Sequence, residues 1–218
     1  MAKRRTEQPR RQARRDDELR RRSPSKRGRA IVLIICEGVE TEYRYFEAMR
    51  RRQALVSVSI EVVRSGRQSE RLVEHAVELR RQRKRQPDAL PYEEIWCVFD
   101  REAAHEPAGF LAAVNRADRE QLTLAVSNPC FEYWYLLHYR ETDRPFQNAD
   151  EVVDALRSNG CLPGYEKSQE VFEHLLEHRG QAIERAERLY ERHPDRERDR
   201  FPNPSTQVQR LVRRLIEE

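Results

Sequence analysis

The sequence lacks three features that would assign it to well-known classes of protein. Its four cysteines, at positions 36, 97, 130 and 161, form no C-x-x-C pair, so neither a zinc ribbon nor a redox pair is encoded. No apolar run reaches the roughly 20 residues of a bilayer span, and no apolar signal segment follows the Arg-rich N-terminus. No G-x-x-x-x-G-K-[ST] loop is present, which excludes a P-loop motor. We therefore expect a cytoplasmic protein with buried, reduced thiols and no membrane contact.

Charge is plentiful but unevenly distributed along the chain. Residues 1–29 contain 13 Lys and Arg against 4 Asp and Glu, so the remaining residues hold 29 basic and 34 acidic side chains. A segment this basic and free of aromatics is predicted to be a disordered arm. Such an arm attracts phosphate backbones without reading their sequence, although a solubilising leader has the same composition.

Beyond the arm, strand and helix patterns alternate. Residues 30–36 form an unbroken apolar run that suits a strand buried on both faces. Residues 56–63 alternate in polarity and predict an edge strand, and residues 94–99 and 122–126 predict two further strands. Helices are predicted from Thr41, from Ser69 to before Pro87, over 109–118 and over 130–139. The alternation predicts an α/β fold of the Rossmann-like kind, with a mainly parallel sheet flanked by helices.

The last third of the sequence has a different pattern. Helices are predicted near 150–157, 168–177, 181–191 and 206–216, and no strand is predicted there. At 218 residues the chain fits one domain. We therefore predict an arm over 1–29 and one domain over 30–218, in which residues 30–139 form the sheet core and residues 140–218 form a helical C-terminal extension.

Acidic residues follow two of the predicted strands. Glu37 comes directly after the first strand, and Asp100 and Glu102 come directly after the strand 94–99. Ligands of open parallel sheets bind outside the carboxyl ends of the strands, so these side chains meet if the two strands are neighbours. Clustered carboxylates repel unless a cation or a shared proton compensates them. Mg²⁺ prefers such oxygen ligands and can activate water against a phosphate, whereas Glu37 can alternatively act as a general acid or base.

The two strand ends resemble a Toprim domain. The segments that carry the resemblance are I-V-L-I-I-C-E-G at 31–38 and W-C-V-F-D-R-E at 96–102. Toprim domains occur in topoisomerases, primases and nucleases. The resemblance implies a Toprim-like sheet with Mg²⁺, or alternatively Mn²⁺, held by Glu37, Asp100 and Glu102, which are also the implied catalytic residues. Glu102 stands where the pattern more often has aspartate.

Four segments together resemble the RloB-like family of prokaryotic proteins. They are C-E-G-V-E-T-E-Y-R-Y-F at 36–46, V-F-D-R-E at 98–102, S-N-P-C-F-E-Y-W-Y-L-L-H-Y at 127–139 and N-P-S-T-Q-V at 203–208. The family is linked to restriction loci and to abortive phage defence. The resemblance implies a nuclease role in that defence and an ATPase partner.

Several other residues are second-tier candidates. Glu42 and Glu132 are possible further metal ligands, and Asn128, Lys167 and Ser205 are weak candidates for substrate binding. For Asn128 the alternative of capping the following helix is the preferred one, and Ser205 or Thr206 suits the N-cap of the last helix. We expect Trp134, Tyr135 and Leu137 to be core residues rather than a base-stacking platform. His138 and His105 can assist proton transfer, but we expect surface or satisfied histidines.

Three functions remain open on the sequence. The leading one is a Mg²⁺-dependent nuclease that hydrolyses RNA or DNA in phage defence. The second is a non-catalytic module that binds nucleic acid or nucleotide in a defence complex. The third is nucleotidyl or phosphoryl transfer to a small substrate. The chain is too short for the strand passage of a topoisomerase, and a homodimer is an open possibility.

Overall fold

The computed structural model describes residues 30–52, 58–66, 68–102, 109–158 and 160–217. A five-stranded sheet runs through this part of the chain in the order β2-β1-β3-β4-β5. The strands are β1 (Ala30–Cys36), β2 (Val58–Arg64), β3 (Glu94–Asp100), β4 (Thr123–Asn128) and β5 (Ser205–Thr206). The first four strands are parallel, and β5 is antiparallel to β4. The predicted α/β fold with a mainly parallel sheet is therefore confirmed.

Helices flank the sheet and fill the last third of the described chain. They are α1 (Thr41–Arg52), α2 (Ser69–Lys84), α3 (Phe110–Arg119), α4 (Glu132–Tyr139), α5 (Ala149–Arg157), α6 (Phe172–Leu175), α7 (Arg179–Arg192) and α8 (Val208–Ile216). A short 3₁₀ turn, Leu176–His178, joins α6 to α7. None of these helices combines the length and the apolar composition that a membrane span requires.

The core has two parts because alternate strand residues face opposite sides of the sheet. Val32, Ile34 and Cys36 of β1 pack with α1, α4 and the helices of the last third. Leu33 and Ile35 pack with α2 and α3 on the other side. The four cysteines are buried and free, as the sequence predicts. Burial of β1 on both faces explains its unbroken apolar run.

Most predicted elements are confirmed, including the edge position of β2. The prediction that the last third lacks a strand is wrong, because Ser205 and Thr206 pair with Asn128 and Ser127 of β4. The helix predicted over 168–177 is reduced to α6 and the 3₁₀ turn. The predicted disordered arm, His105 and the first two residues of the strand predicted over 56–63 lie outside the described residues.

Candidate active site

The candidate site lies at the carboxyl ends of β1 and β3, which are neighbouring parallel strands. Glu37 directly follows β1, and its backbone N–H donates to the Val98 carbonyl at 2.9 Å. Its carboxylate Oε2 accepts a hydrogen bond from the Asp100 backbone N–H at 3.4 Å. The predicted meeting of Glu37 and Asp100 at one sheet edge is thus present in the fold.

Two helix starts bring further carboxylates to this edge. Glu42 lies in the first turn of α1 and Glu132 is the first residue of α4, and they are only 6% and 2% exposed. The Thr41 hydroxyl donates to Glu132 Oε1 at 3.2 Å, and the Tyr165 hydroxyl donates to the same atom at 3.3 Å. Glu132 is therefore held in place. We call Glu37, Glu42, Asp100 and Glu132 the acidic cluster.

Asp100 is the electrostatic centre of the acidic cluster. Burial raises the pKa of its carboxyl well above the ordinary value, and the charges of Glu42, Glu132 and Glu37 raise it further. Its Oδ1 is buried and has no hydrogen-bond partner among the described residues. Burial and then the charge of Glu132 also raise the pKa of Glu42. A cation or a proton placed here would relieve this repulsion.

Glycine at position 38 makes room for Glu42. The Gly38 backbone N–H donates to Glu42 Oε1 at 3.3 Å. A Cβ at position 38 would lie 2.0 Å from Glu42 Oε2, so any other residue there must displace this carboxylate. The glycine of the E-G pair therefore keeps Glu42 in the acidic cluster, which is a more specific role than a turn.

Glu37 has a pKa suited to proton transfer near neutral pH. Burial raises the pKa of its carboxyl from 4.5 to about 7; the Asp100 N–H lowers it in part, and the charges of Glu42 and Glu102 add to the rise. A carboxyl with such a pKa is present in both protonation states near pH 7, so it can give or take a proton.

We expect the metal-free protein to lose thermal stability as pH rises from 4.5 to about 7. A carboxyl whose pKa is raised in the folded state stabilises the fold fully below its unfolded pKa, and that contribution is lost through the folded pKa. Glu37→Gln keeps an acceptor for the Asp100 N–H but cannot ionise, so it should weaken this pH dependence. Calorimetric melting in chelator between about pH 4 and pH 8 measures the effect. Glu78→Gln, at an exposed site on α2, is the matched control; equal slopes in the two variants would contradict the expectation.

Glu102 is placed differently from the other predicted ligands. It is exposed, its backbone is left-handed with φ 56°, and its N–H donates to the Pro129 carbonyl at 3.2 Å. Its charge raises the pKa of Glu37 less than that of Glu42 does. The second-tier residues Glu42 and Glu132 therefore lie deeper in the site than Glu102.

The alternative capping roles of Asn128 and Ser205 are wrong. The Asn128 amide donates to the Phe201 carbonyl at 2.8 Å, whereas the N-cap of α4 is Phe131 without a side-chain cap. The N-cap of α8 is Gln207, and Ser205 lies in β5 with its buried hydroxyl unpartnered among the described residues. Thr206 Oγ1 accepts from the N–H of Val208, the first residue of α8, at 3.2 Å, so its side chain does satisfy a free N–H at the start of that helix although Gln207 holds the N-cap position.

Lys167 supplies positive charge near the cluster. Partial burial lowers the pKa of its ammonium, but the charges of Glu132 and Asp100 outweigh this effect and raise the pKa overall. The Lys167 carbonyl lies 3.4 Å from the Thr41 hydroxyl and competes with Glu132 for the single proton of that hydroxyl, which places the Lys167 loop against the start of α1.

The aromatic expectations for α4 are confirmed, whereas His138 is neither a surface nor a fully satisfied histidine, because its buried Nε2 has no hydrogen-bond partner among the described residues. Trp134, Tyr135 and Leu137 are all core residues. His138 is buried and its Nδ1–H donates to the Trp134 carbonyl at 2.9 Å. Because burial lowers its pKa to about 3, the ring stays neutral and has no evident part in proton transfer.

Sequence reasoning missed Tyr165 and Arg64. Arg64 ends β2, in register with Cys36, and its guanidinium lies 4.1 Å from the centre of the Tyr43 ring. Since registered residues share a face, Arg64 lies on the same face as Asp100, two residues past Val98. Arg64 forms no ion pair in the described chain. Its place at a strand end was a usable signal, whereas no local pattern marks Tyr165.

The carboxylates of the acidic cluster are the kind of ligand that a hard divalent cation prefers, but they are not arranged as a metal site. All of the donors are carboxylate oxygens, and Asp100 Oδ1 lacks any hydrogen bond among the described residues. Yet in the described ranges no group of three or more His, Cys, Asp or Glu is arranged to hold a metal ion. The carboxylates would have to converge for an ion to bind.

Comparison with known proteins gives one match. The profile described as RloB-like protein matches residues 32–215, which is most of the chain. No curated protein and no solved structure matches significantly. The match contains every member of the acidic cluster together with Lys167 and Ser205. The chain therefore belongs to the RloB-like protein family.

Proposed function

We propose that the protein is a Mg²⁺-dependent nuclease that hydrolyses phosphodiester bonds of RNA or DNA. The observation that carries the proposal is the buried, unpartnered Oδ1 of Asp100 among the carboxylates of Glu37, Glu42 and Glu132. Four carboxylates at the ligand-binding edge of a parallel sheet repel one another and destabilise the fold. A cation bound among them would compensate this repulsion.

Asp100, Glu42 and Glu132 are the proposed holders of the ion, and Glu102 is a further ligand only if its exposed side chain turns inward. A bound Mg²⁺, or Mn²⁺ in its place, would polarise the phosphate and lower the pKa of a bound water. Thr41 and Tyr165 orient Glu132 by their two hydrogen bonds. Because these hydroxyls fix the carboxylate, little reorganisation is needed at that position.

Glu37 is the proposed general acid or base. In hydrolysis, water attacks phosphorus, the bond to the leaving oxygen breaks, and a proton passes to that oxygen. With a pKa of about 7, Glu37 can exchange this proton at neutral pH. Its bond from the Asp100 N–H keeps the carboxyl next to the acidic cluster.

Two cations near the site suit a polyanionic substrate. Arg64 is exposed and stacked on Tyr43, which restricts its orientation. Lys167 lies on the side of Glu132. Both can contact phosphates that flank the cleaved one, and the basic residues of 1–29 add sequence-independent attraction.

The biological setting is proposed from the family alone. Membership of the RloB-like family is the basis for a role in prokaryotic phage defence by abortive infection, for a cytoplasmic location and for an ATPase partner. These 218 residues contain no phosphate loop of their own, so they would not supply the motor themselves. A homodimer is compatible with this setting.

A second candidate is a non-catalytic module that binds nucleic acid or nucleotide. The absence of a ready-made metal group in the described ranges favours it. Under this hypothesis Arg64, Lys167 and the basic N-terminal residues bind phosphates, and the carboxylates stay partly protonated. Binding without cleavage distinguishes it from a nuclease.

The purified full chain is expected to cleave at least one of tRNA, single-stranded DNA and duplex DNA when Mg²⁺ or Mn²⁺ is added. Cleavage should stop with chelator and should be missing with Asp100→Ala. Gel electrophoresis of end-labelled substrates, with mobility shifts in parallel, gives both readouts. Binding that survives in Asp100→Ala while cleavage disappears supports the nuclease. Binding by both proteins without any cleavage, also after addition of a candidate ATPase partner, favours the module.

A further inference from the structure

A groove of about 370 Å³ opens beside the acidic cluster. We call it the side groove; the residues that matter here are Glu102, Asn128, Asp195, Arg198, Pro202 and Asn203. Two lining residues connect the two places: Glu102 follows Asp100 by two residues, and Asn128 directly follows Ser127, which is in register with Asp100. A ligand in the groove would therefore lie next to a substrate at the acidic cluster.

The walls of the side groove are held by hydrogen bonds. The Arg101 guanidinium is paired with Asp199 at 2.6 Å and donates to the Phe201 carbonyl at 2.8 Å. The Asn203 amide donates to the Phe146 carbonyl at 2.7 Å and accepts from the Phe146 N–H at 3.3 Å. A groove fixed in this way loses little entropy when a ligand binds.

The chemistry of the groove suits a neutral ligand with donors and acceptors. Glu102 and Asp195 offer carboxylates, and Arg198 offers a guanidinium. Asp195 and Arg198 form no ion pair with any described residue. The Arg101–Asp199 pair cancels its own charge, so the groove has no positive excess and is a poor phosphate site.

Asn128 adds an acceptor that lacks a partner. The residue is 4% exposed, and its amide N–H donates to the Phe201 carbonyl, so Oδ1 is the side-chain atom that is left to accept a hydrogen bond. That Oδ1 is buried without a hydrogen bond in the described chain, although Asn128 lines the groove. An unsatisfied buried acceptor gains by a partner, so a donor of a ligand that reaches this atom from the groove would be bound favourably.

We propose that the side groove binds the base of a nucleotide next to the cleaved phosphate, and that guanine fits it best. The proposal rests on the nuclease function and names part of its substrate. Guanine presents two adjacent N–H donors on its pairing edge, which suit a carboxylate such as Asp195. Its O6 and N7 are acceptors that a guanidinium such as Arg198 binds in a bidentate manner. Pro202 supplies an apolar surface for the ring.

Calorimetric titration of the full chain tests this without cleavage. The probes are the four nucleoside 5′-monophosphates and ribose 5-phosphate, which lacks a base. Guanosine monophosphate is expected to bind most tightly, and ribose 5-phosphate at least about tenfold more weakly, because a good bidentate contact is worth about 1–3 kcal/mol. Equal binding of ribose 5-phosphate, or no binding of any nucleotide at millimolar concentration, would overturn the base site.

Variants locate the binding. Asp195→Asn and Arg198→Ala should each weaken the binding of guanosine monophosphate by about tenfold. Arg196→Ala should change the affinity by less than about twofold. Arg196 lies in the same loop but donates to the Glu191 carbonyl and does not line the groove. Equal loss in all three variants, or in none, would refute the assignment.

The outcome stays distinct from that of the nuclease proposal. Asp100→Asn should keep the preference for guanosine monophosphate over the other three nucleotides, since the groove that contacts the base does not contain Asp100. Groove binding without any cleavage would leave the base site in place and refute the nuclease. Cleavage at equal rates next to all four bases, unaffected by Arg198→Ala, would leave the nuclease proposal in place and refute the base site.

Discussion

Asp100→Asn is expected to reduce metal-dependent cleavage by about a thousandfold or more, since a catalytic ion supplies several kcal/mol of transition-state stabilisation. The substitution keeps the shape of the side chain and removes one buried negative charge. The pKa of the Asp100 carboxyl is raised by burial and by the charges of Glu42, Glu132 and Glu37. Replacement of Asp100 by asparagine should therefore weaken binding of the metal ion and leave the fold intact.

The same variant has a second expected effect that a merely structural role would not give. In chelator its melting temperature should rise above that of the parent chain, because repulsion in the acidic cluster is relieved. Added Mg²⁺ should stabilise the parent chain and have little effect on the variant. Differential scanning calorimetry with and without Mg²⁺ measures both shifts.

Asp88→Asn is the matched control for Asp100→Asn. Asp88 is exposed in the segment between α2 and β3, so its substitution should leave cleavage and the Mg²⁺-induced shift unchanged. If Asp100→Asn cleaves as fast as this control, Asp100 has no catalytic part and the nuclease proposal loses its carrying observation.

Trp134→Ala is expected to destabilise the fold by about 3–5 kcal/mol, the usual cost of truncating a buried large aromatic side chain. Trp134 is completely buried in α4. Its ring lies 4.6 Å from that of His138 and 6.5 Å from that of Tyr45, both in edge-on geometry. Because native domains are stable by only about 5–15 kcal/mol, this loss is a large fraction of the total.

Urea denaturation followed by far-UV circular dichroism measures the loss. The control is Leu111→Ala on α3, where the leucine is 59% exposed and alanine is a strong helix former. Leu111→Ala should change the unfolding free energy by less than about 0.5 kcal/mol. A similar small change for Trp134→Ala would mean that α4 is not part of the cooperative core.

Sequence patterns were sufficient for the four parallel strands of the sheet and for half of the acidic cluster. The buried strand 30–36 and the strand ending at Asp100 are local signals, and their parallel pairing follows from the α/β alternation. Glu37 and Asp100 could therefore be placed together from the sequence alone. Glu42 and Glu132 were found only as second-tier residues, because their depth depends on how two helices begin.

The placement of Glu102 could not be predicted from spacing. In an extended strand, residues 100 and 102 would share a face. β3 ends at Asp100, however, and Glu102 adopts a left-handed backbone conformation, so the alternation no longer applies. β5 was missed for another reason: a two-residue strand has no periodicity, and its partner lies 79 residues earlier for the Ser127–Thr206 contact.

The hydrogen bond from Tyr165 to Glu132 has a consequence for the order in which the protein is made. The four carboxylates are all synthesised by residue 132, but Tyr165, Lys167 and the groove residues 195–203 leave the ribosome later. A nascent or truncated chain that ends before residue 165 thus contains the carboxylates without the hydroxyl and the ammonium that orient and balance them. The site is complete only once the last third of the chain has been translated and packed, so the proposed cleavage would begin only when synthesis is nearly finished.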